Sequence, residues 1–304
     1  MERRRTLIVD AFTTEPLGGN PAGLLPDAEG LDAEQMAAVA GELGASETAF
    51  VTESSVADRR LRYFTPAGEI DLCGHATVAA HAHLFSTGAI EAGSHDVETN
   101  TGVLDVSIEE GGAVWMGMDE PTVREVETER SRVASALGID PGSIVTGELP
   151  IAVASAGLAY LIVPVDYLAT LGAIDTDRDA IASLTDAFDA TGVYAFTLDT
   201  LGRESTLHGR MFAPDEGIPE DPVTGTASAA AGAYLRFAEA FEEMPDELLF
   251  EQGHYVDRPG HVRVRVGDGV RVGGKAITSL EGELTIPETE DDEIIEAYTG
   301  RQKS

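Results

Sequence analysis

One cysteine, Cys73, stands among 304 residues. Its isolation excludes a disulfide framework, a paired-cysteine redox motif and any zinc site built from several thiolates. Lysine is almost as scarce, with only Lys275 and Lys303. Long apolar runs are missing too. The longest are short pieces such as Met36–Ala40 and Leu158–Val163, far below the ~20 residues of a membrane-spanning helix. After the basic start Met1-Glu2-Arg3-Arg4-Arg5 comes only the strand-like run Leu7–Phe12, interrupted by Asp10, so no apolar core of an export signal follows. Neither a dinucleotide-binding glycine fingerprint nor a phosphate-loop lysine motif occurs, and Gly18-Gly19-Asn20-Pro21 reads as a turn. The one resemblance to a serine elbow, Ser155-Ala156-Gly157, has Val153 where the first glycine belongs. The expectation is a cytoplasmic globular protein without a membrane segment.

What is present in excess is negative charge. Fifty-four acids face 20 bases, for a net charge of −34, and the acids run along the whole chain. A field of that sign repels phosphate backbones and anionic membrane surfaces, which argues against nucleic acid and membrane partners. Self-repulsion on this scale destabilises a compact state unless salt screens it; at molar salt the Debye length is ~3 Å. The lysine-poor, acidic composition therefore points to a halophilic setting.

With 43% hydrophobic residues over 304 positions, the chain is long enough for two domains of ordinary size. An internal repeat divides it. Arg62-Tyr63-Phe64-Thr65-Pro66 returns as Arg210-Met211-Phe212-Ala213-Pro214, and Asp71-Leu72-Cys73-Gly74-His75-Ala76-Thr77 as Asp221-Pro222-Val223-Thr224-Gly225-Thr226-Ala227-Ser228. Arg62 and Arg210 are 148 positions apart, Gly74 and Gly225 151. Two blocks in the same order at half the chain length indicate a duplication.

Each copy has one grammar: a strand (Arg59–Phe64; Thr206–Phe212), a proline, a short loop, and a glycine opening an alanine-rich helix (Gly74–Phe85; Gly225–Ala238). A helix that is small and apolar nearly all round is a buried one. The β-like segments around it supply the wrapper: Leu7–Phe12, Ser46–Thr52, Val97–Thr99, Val103–Ile108 and Val114–Met118 in the first half. In the second they are Ile151–Ser155, Ala159–Val163, Val193–Leu198, His261–Val266, Val270–Gly273 and Glu283–Ile286. Peripheral helices are predicted at Asp32–Leu43, capped by Asp32 with Gln35 at the box position, and at Arg178–Phe188. The fold expected is α+β: two similar domains, each a rolled mixed sheet around a central helix, related by a pseudo-twofold axis. They span residues 1–119 and 120–287, with the boundary near Glu120-Pro121 and the tail 288–304 free to return to the first domain.

Pseudo-symmetry would aim both helix N-termini into one cleft, where unpaired N–H groups favour a small anion. Three polar residues fall beside them. Glu47 opens an apolar strand; in a dry cleft such a carboxyl becomes a proton shuttle, and otherwise it is a solvated strand end. His75 follows Gly74, and Asp221 precedes the second helix, where either alone would be an ordinary packed or capping residue. The repeat brings all three together as a base, a donor and an orienting acid. His81 and His83 lie six and eight positions after His75 and leave the helix on different faces, which argues against a metal triad.

The same residues carry a resemblance. The chain resembles the PhzF family of phenazine biosynthesis-like proteins, of the diaminopimelate-epimerase-like fold. The motifs are Asp10-Ala11-Phe12-Thr13, Gly19-Asn20-Pro21, Ser46-Glu47-Thr48, Gly74-His75-Ala76-Thr77, Glu220-Asp221-Pro222-Val223-Thr224-Gly225 and Glu251-Gln252-Gly253. The resemblance implies two rolled domains with the site between them, a homodimer, and proton transfer with no cofactor and no metal. In the family's isomerisation of a dihydro-hydroxyanthranilate, the glutamate matching Glu47 moves a proton between ring carbons. Positions matching His75 and Asp221 hold the substrate and assist. Ser46, Gly74 and Thr226 match ligand-contacting positions, and Thr224 and Gly225 at the second helix start are grouped with them as substrate-binding. Two departures are visible: Thr226 where serine is also common, and Asp257 within Val256-Asp257-Arg258-Pro259 where the family favours glycine.

Racemases of this fold use two thiols on opposite faces of a carbon. Cys73 occupies the first such place, but Thr224 stands at the second, so a two-cysteine racemase is excluded and Cys73 reads as a small packed residue. The function expected is an isomerase moving a proton on a small carboxylate-bearing metabolite; the alternative is a non-catalytic small-anion-binding protein that keeps the cleft. The composition makes a prediction of its own. The melting temperature should rise between low salt and roughly 2–3 M KCl, and a transition that does not move would show that the acidic surface is not adapted to salt.

Overall fold

The computed structural model describes residues 2–287; the tail 288–304, expected to return to the first domain, lies outside them. In the first half, β1 (Glu2–Ala11), β2 (Asn20–Leu25), α1 (Ala33–Leu43), β3 (Thr48–Thr52), β4 (Arg59–Thr65) and β5 (Gly68–Ile70) lead to α2 (Gly74–Ser86). Then come β6 (Gly93–Thr99), β7 (Gly102–Ile108) and β8 (Val114–Gly117). The second half opens with β9 (Thr122–Glu125), α3 (Arg130–Leu137), β10 (Ala152–Ser155), β11 (Ala159–Pro164), α4 (Leu168–Gly172) and α5 (Arg178–Phe188). It continues through β12 (Gly192–Thr197), β13 (Leu207–Ala213), β14 (Ile218–Asp221) and α6 (Gly225–Phe237). It closes with β15 (Leu248–Gln252), β16 (Gly260–Val266), β17 (Val270–Gly274) and β18 (Ala276–Ile286).

The duplication is visible in the pairing. From β1 to β8, neighbours pair antiparallel (β1–β2), parallel (β2–β3), antiparallel (β3–β4), parallel (β4–β6), then antiparallel twice (β6–β7, β7–β8). The series β10, β11, β12, β13, β15, β16, β17 repeats that alternation step for step. The halves join twice over. β8 pairs with β17, β9 follows β8 but pairs with β10, and β18 follows β17 but pairs with β1. The architecture is α+β with two similar units, each a rolled mixed sheet around one helix.

Small side chains make this possible. α2 buries Ala76, Ala79, Ala80 and Ala82, and α6 buries Ala227, Ala229, Ala230 and Ala231; an alanine-lined helix lets a sheet approach on every side. Local signals hold elsewhere as well. Asp32 caps α1 in a full capping box with Gln35, Gly44 ends it in the left-handed region at φ 67°, and α5 spans the predicted Arg178–Phe188 with Asp177 as its cap. β16 alternates buried and open residues, as a strand with one covered face must. β12 and β13 are buried at every residue, because Tyr234 of α6 packs on Phe196 of β12 at 5.9 Å while α4 and α5 cover both strands.

Two ion pairs repeat with the strands. Arg62 grips Glu69 through two nitrogens at 2.8 Å each, and Arg210 grips Glu220 at 2.9 and 2.6 Å. Each arginine also lies over the phenylalanine two residues on, Phe64 at 5.1 Å and Phe212 at 5.0 Å.

The loop between β1 and β2, read as a turn, is tied down from the other half. Arg258 Nη2 donates to Asp10 Oδ1 at 2.7 Å and to the Gly18 carbonyl at 2.9 Å, while its Nε donates to the Gly19 carbonyl at 3.0 Å. Asp257, where the resemblance implies glycine, takes φ 55°, a left-handed backbone that aspartate tolerates better than most residues. Phe12 holds φ 65° and is buried against Gly274, where a Cβ would come within 2.6 Å of its ring.

Asp10 is 1% exposed and Arg258 27%. Arg258→Ala should therefore cost about 2–3 kcal/mol, somewhat below a fully enclosed pair, by leaving the buried Asp10 carboxylate with the Leu17 N–H as its remaining donor. Guanidinium unfolding midpoints of wild type and variant measure it. A loss under about 0.5 kcal/mol would show that the pair is a surface pair in effect.

Candidate active site

The two helix N-termini meet at the seam between the halves. Met116 on β8 and Val272 on β17 are direct cross-strand partners. A Cβ on Gly74 would lie 3.6 Å from the Met116 sulfur, and one on Gly225 3.9 Å from Val272 Cγ2. Both helices thus begin over one residue pair. Neither has a side-chain cap at its first turn, whereas α1 and α5 are capped by aspartates. First-turn N–H groups left without a capping oxygen face the seam.

From the first half comes Glu47. The reversal at Gly44 swings the chain out of α1, and the Gly23 N–H fixes the Glu47 carbonyl at 2.9 Å just before β3. Glu47 Oε2 lies 3.3 Å from His75 Nε2, with side chains 18% and 12% exposed. Cys73 Sγ lies against the face of the ring, 3.4 Å from Nδ1 and 3.9 Å from Nε2, and within 4.8 Å of a Glu47 oxygen. Burial lowers the pKa of His75, opposed by the charge of Glu47, and keeps the ring neutral. Burial, reinforced by Glu47, pushes the Cys73 thiol well up.

From the second half comes Asp221 at the end of β14. Asn20 Nδ2 donates to its Oδ1 at 3.0 Å and to the Val223 carbonyl at 2.9 Å; both partners are acceptors, which fixes the amide's orientation. The Thr224 hydroxyl donates a short hydrogen bond to Asp221 Oδ2. Gln252 Nε2 donates to the Asp221 carbonyl at 2.8 Å, and its Oε1 accepts from the Thr224 N–H at 3.2 Å. Burial raises Asp221 to about 7 against the Thr224 bond, with the charge of Glu47 adding to the rise. A carboxyl held near neutrality in this way donates or accepts a proton at little cost.

Of the residues expected to bind substrate, Gly74, Gly225 and Thr226 are partly exposed at the helix starts, and Ser46 is exposed beside Glu47. Thr224 is buried and committed to Asp221 and Gln252. The Thr226 hydroxyl shares a 2.7 Å hydrogen bond with Tyr160. Asn20, Gln252 and Tyr160 were not legible as site features. Asn20 and Gln252 sat inside motifs without an assigned task. Tyr160 lies in a plain apolar strand, which carries no signal of its contact.

His81 bonds the Thr77 carbonyl and His83 bonds Thr278, so neither joins His75. Among the described residues, the trio of donors close enough to share an ion is Glu47, Cys73 and His75, all within 4.8 Å. A cation there would have to displace a proton from a thiol that its surroundings hold protonated and draw Nε2 away from Glu47. The donor set suits proton transfer better.

The family model for phenazine biosynthesis-like proteins, PhzC-PhzF, matches residues 9–282. The uncharacterized isomerase YfhB of Bacillus subtilis is 34% identical over 294 residues, covering 95% of this chain and 98% of that protein. The trans-2,3-dihydro-3-hydroxyanthranilate isomerase of Pseudomonas chlororaphis is 29% identical over 297 residues, covering 92% and 99%. The crystal structure of a Bacillus anthracis phenazine biosynthesis protein of the PhzF family superposes with a TM-score of 0.87 at 34% identity, covering 94% of this chain and all of that one.

Asp221 makes stability depend on pH in a definite direction. The folded chain holds its proton to about pH 7, while the ordinary aspartate value is 3.8. Between these limits the folded state binds more protons than the unfolded one, so this contribution is complete below about pH 4 and lost as pH rises through 7. Asp221→Asn removes the titration. Unfolding free energies at pH 5 and pH 8 should show the variant gaining on wild type at the higher pH; parallel profiles would show that Asp221 ionises as it does in water.

Proposed function

The chain belongs to the phenazine biosynthesis-like (PhzF) family and is an isomerase of that type, and we propose that it moves a proton between carbons of a small carboxylate-bearing metabolite. The substrate would lie between the halves 1–119 and 120–287, over the seam of β8 and β17. The observation that carries this reading is the 3.3 Å approach of Glu47 to His75 at the start of α2, with Asp221 near enough for the Glu47 charge to act on it.

The roles follow from the chemistry of each group. Glu47 takes the proton from one carbon and returns it to another, so the substrate is isomerised with no change in oxidation state. His75, neutral, donates through Nε2 and steers the carboxylate. Asp221, protonated near neutrality, offers a hydrogen bond to charge that develops on the substrate, and Asn20 and Thr224 hold it in place. Gly74, Gly225 and the N–H groups beside them receive the substrate carboxylate, with Ser46 and Thr226 at its margin. No step in this sequence requires a cofactor. A homodimer working in a salt-rich cytoplasm completes the proposal.

The test is deuterium wash-in in molar KCl, starting with trans-2,3-dihydro-3-hydroxyanthranilate and widening to small cyclic carboxylates. Wild type should give a new isomer carrying carbon-bound deuterium. Glu47→Gln should lower turnover by about 10³-fold while affinity stays within about tenfold. A variant that turns over at the wild-type rate overturns the role of Glu47. Tight binding by wild type with no exchange on any compound would instead identify a non-catalytic anion-binding protein.

A further inference from the structure

The isomerase reading leaves Tyr160 without a task, yet its hydroxyl reaches the start of α6. We propose that Tyr160 is a positioning residue whose phenolic O–H donates to Thr226 Oγ1, so that the Thr226 hydroxyl keeps its own proton for a substrate oxygen that can only accept. The proposal rests on the reading that the substrate carboxylate lies at the two helix starts.

Burial and bond accounting fix the direction. Tyr160 sits on β11 between Ala154 of β10 and Gly192 of β12 and is 2% exposed. Thr226, the second residue of α6, is partly exposed. Their oxygens lie 2.7 Å apart, and among the described residues neither has another hydrogen-bond partner. If Thr226 donated, the phenolic proton would be enclosed without an acceptor, which buried hydroxyls rarely are. Acidity points the same way. A phenol titrates at about 10 and an aliphatic hydroxyl far higher, so the phenol is the better donor and the threonine oxygen the better acceptor. Burial holds the phenol protonated, opposed by the Thr226 bond and reinforced by the charge of Asp221.

The first half contains such a pair with its direction settled. Tyr63 and Thr77 also lie 2.7 Å apart. Thr77 gives its one proton to the Cys73 carbonyl at 2.7 Å, so Tyr63 is the donor. In the second half no carbonyl takes the proton of Thr226 among the described residues. That proton is unspent. A carboxylate or carbonyl oxygen accepts it, whereas an ammonium group in the same place would set donor against donor.

Neutron diffraction from crystals of the free wild-type protein in D₂O reads the arrangement directly. The Tyr160 deuteron should lie on the line to Thr226 Oγ1, and the Thr226 deuteron away from it; a Thr226 deuteron on that line overturns the proposal. With trans-2,3-dihydro-3-hydroxyanthranilate as probe, Tyr160→Phe should raise KM roughly three- to tenfold, the worth of one neutral hydrogen bond, with kcat within about twofold. Thr226→Val should do the same, and Thr226→Ser should stay within about twofold of wild type. Adding Tyr160→Phe to Thr226→Val should cost nothing more, because both remove one shared interaction. An unchanged KM in Tyr160→Phe, or effects of the two substitutions that multiply, would show that the tyrosine does not act through Thr226. The neutron map needs neither turnover nor a variant, so it decides even where both fail. A Tyr160 deuteron directed at Thr226 in a protein inert toward every substrate would refute only the isomerase reading.

Discussion

Two helices lined with alanine have to be enclosed on every side, and that constraint organises the molecule. Each of α2 and α6 buries nine of its 13 residues, so no flat sheet can satisfy either one. A sheet rolled around the helix does. The rolled sheets leave the helix ends as the places where backbone N–H groups meet solvent or ligand. Because β8 pairs with β17, and Gly74 and Gly225 sit over a matched residue pair of those strands, both N-termini arrive at one place. The site is thus a consequence of the enclosure. The β18–β1 pairing then joins the halves a second time, since β18 of the second half lies beside β1 of the first.

The electrostatics of the site runs against that of the whole chain. A net charge of −34 surrounds it, yet inside it burial favours the uncharged forms of His75, Cys73 and Asp221. Desolvation accomplishes this locally, at a range where the diffuse surface charge is screened by salt. Arginine is put to structural use in the same setting. Arg62, Arg210 and Arg258 are each drawn into carboxylate pairs that pin a strand or a loop. An anion placed at the helix N-termini would meet backbone dipoles, which cannot be titrated away.

Much of this was legible in the sequence, and the reasons are specific. Repetition and alanine content revealed the enclosed helices, and the Asp32 box and the Arg178–Phe188 periodicity revealed the surface ones. The strands β2, β5, β9, β14 and β15 were not anticipated. β2 and β14 begin or end at prolines and glycines that read as turns, and β5 is a three-residue hairpin arm with no pattern to detect. The long β18 was seen only at its end, Glu283–Ile286, because its middle is exposed and mixed in character. Glu47, His75 and Asp221 stood out because chemistry-bearing residues flanked the repeated glycines. Asn20 and Gln252 did not, since an amide that bridges two segments leaves no local trace; its partners lie 201 and 31 positions away.

The repeat also shows how a symmetric frame acquires an asymmetric site. Glu69 and Glu220, gripped by the repeated arginines, stand five positions before Gly74 and Gly225 alike. Ile70 pairs with Tyr63 as Asp221 pairs with Met211, so Ile70 holds in the first copy the place of Asp221 in the second. Asp221 bonds Asn20 and Thr224, while Asp71, one position on from Ile70, is exposed. At the next repeated place, His75 faces Glu47, and its counterpart Thr226 turns to Tyr160. Cys73 and Thr224 diverge likewise, the sulfur packed on the His75 ring and the hydroxyl donating to Asp221. Duplication alone would set two like groups across the seam, which serve as acid and base only when one holds a proton and the other does not. A few substitutions at the helix starts place a carboxylate with its imidazole on one side and a carboxyl inclined to keep its proton on the other. That difference is what a reaction that removes a proton in one place and stabilises charge in another requires.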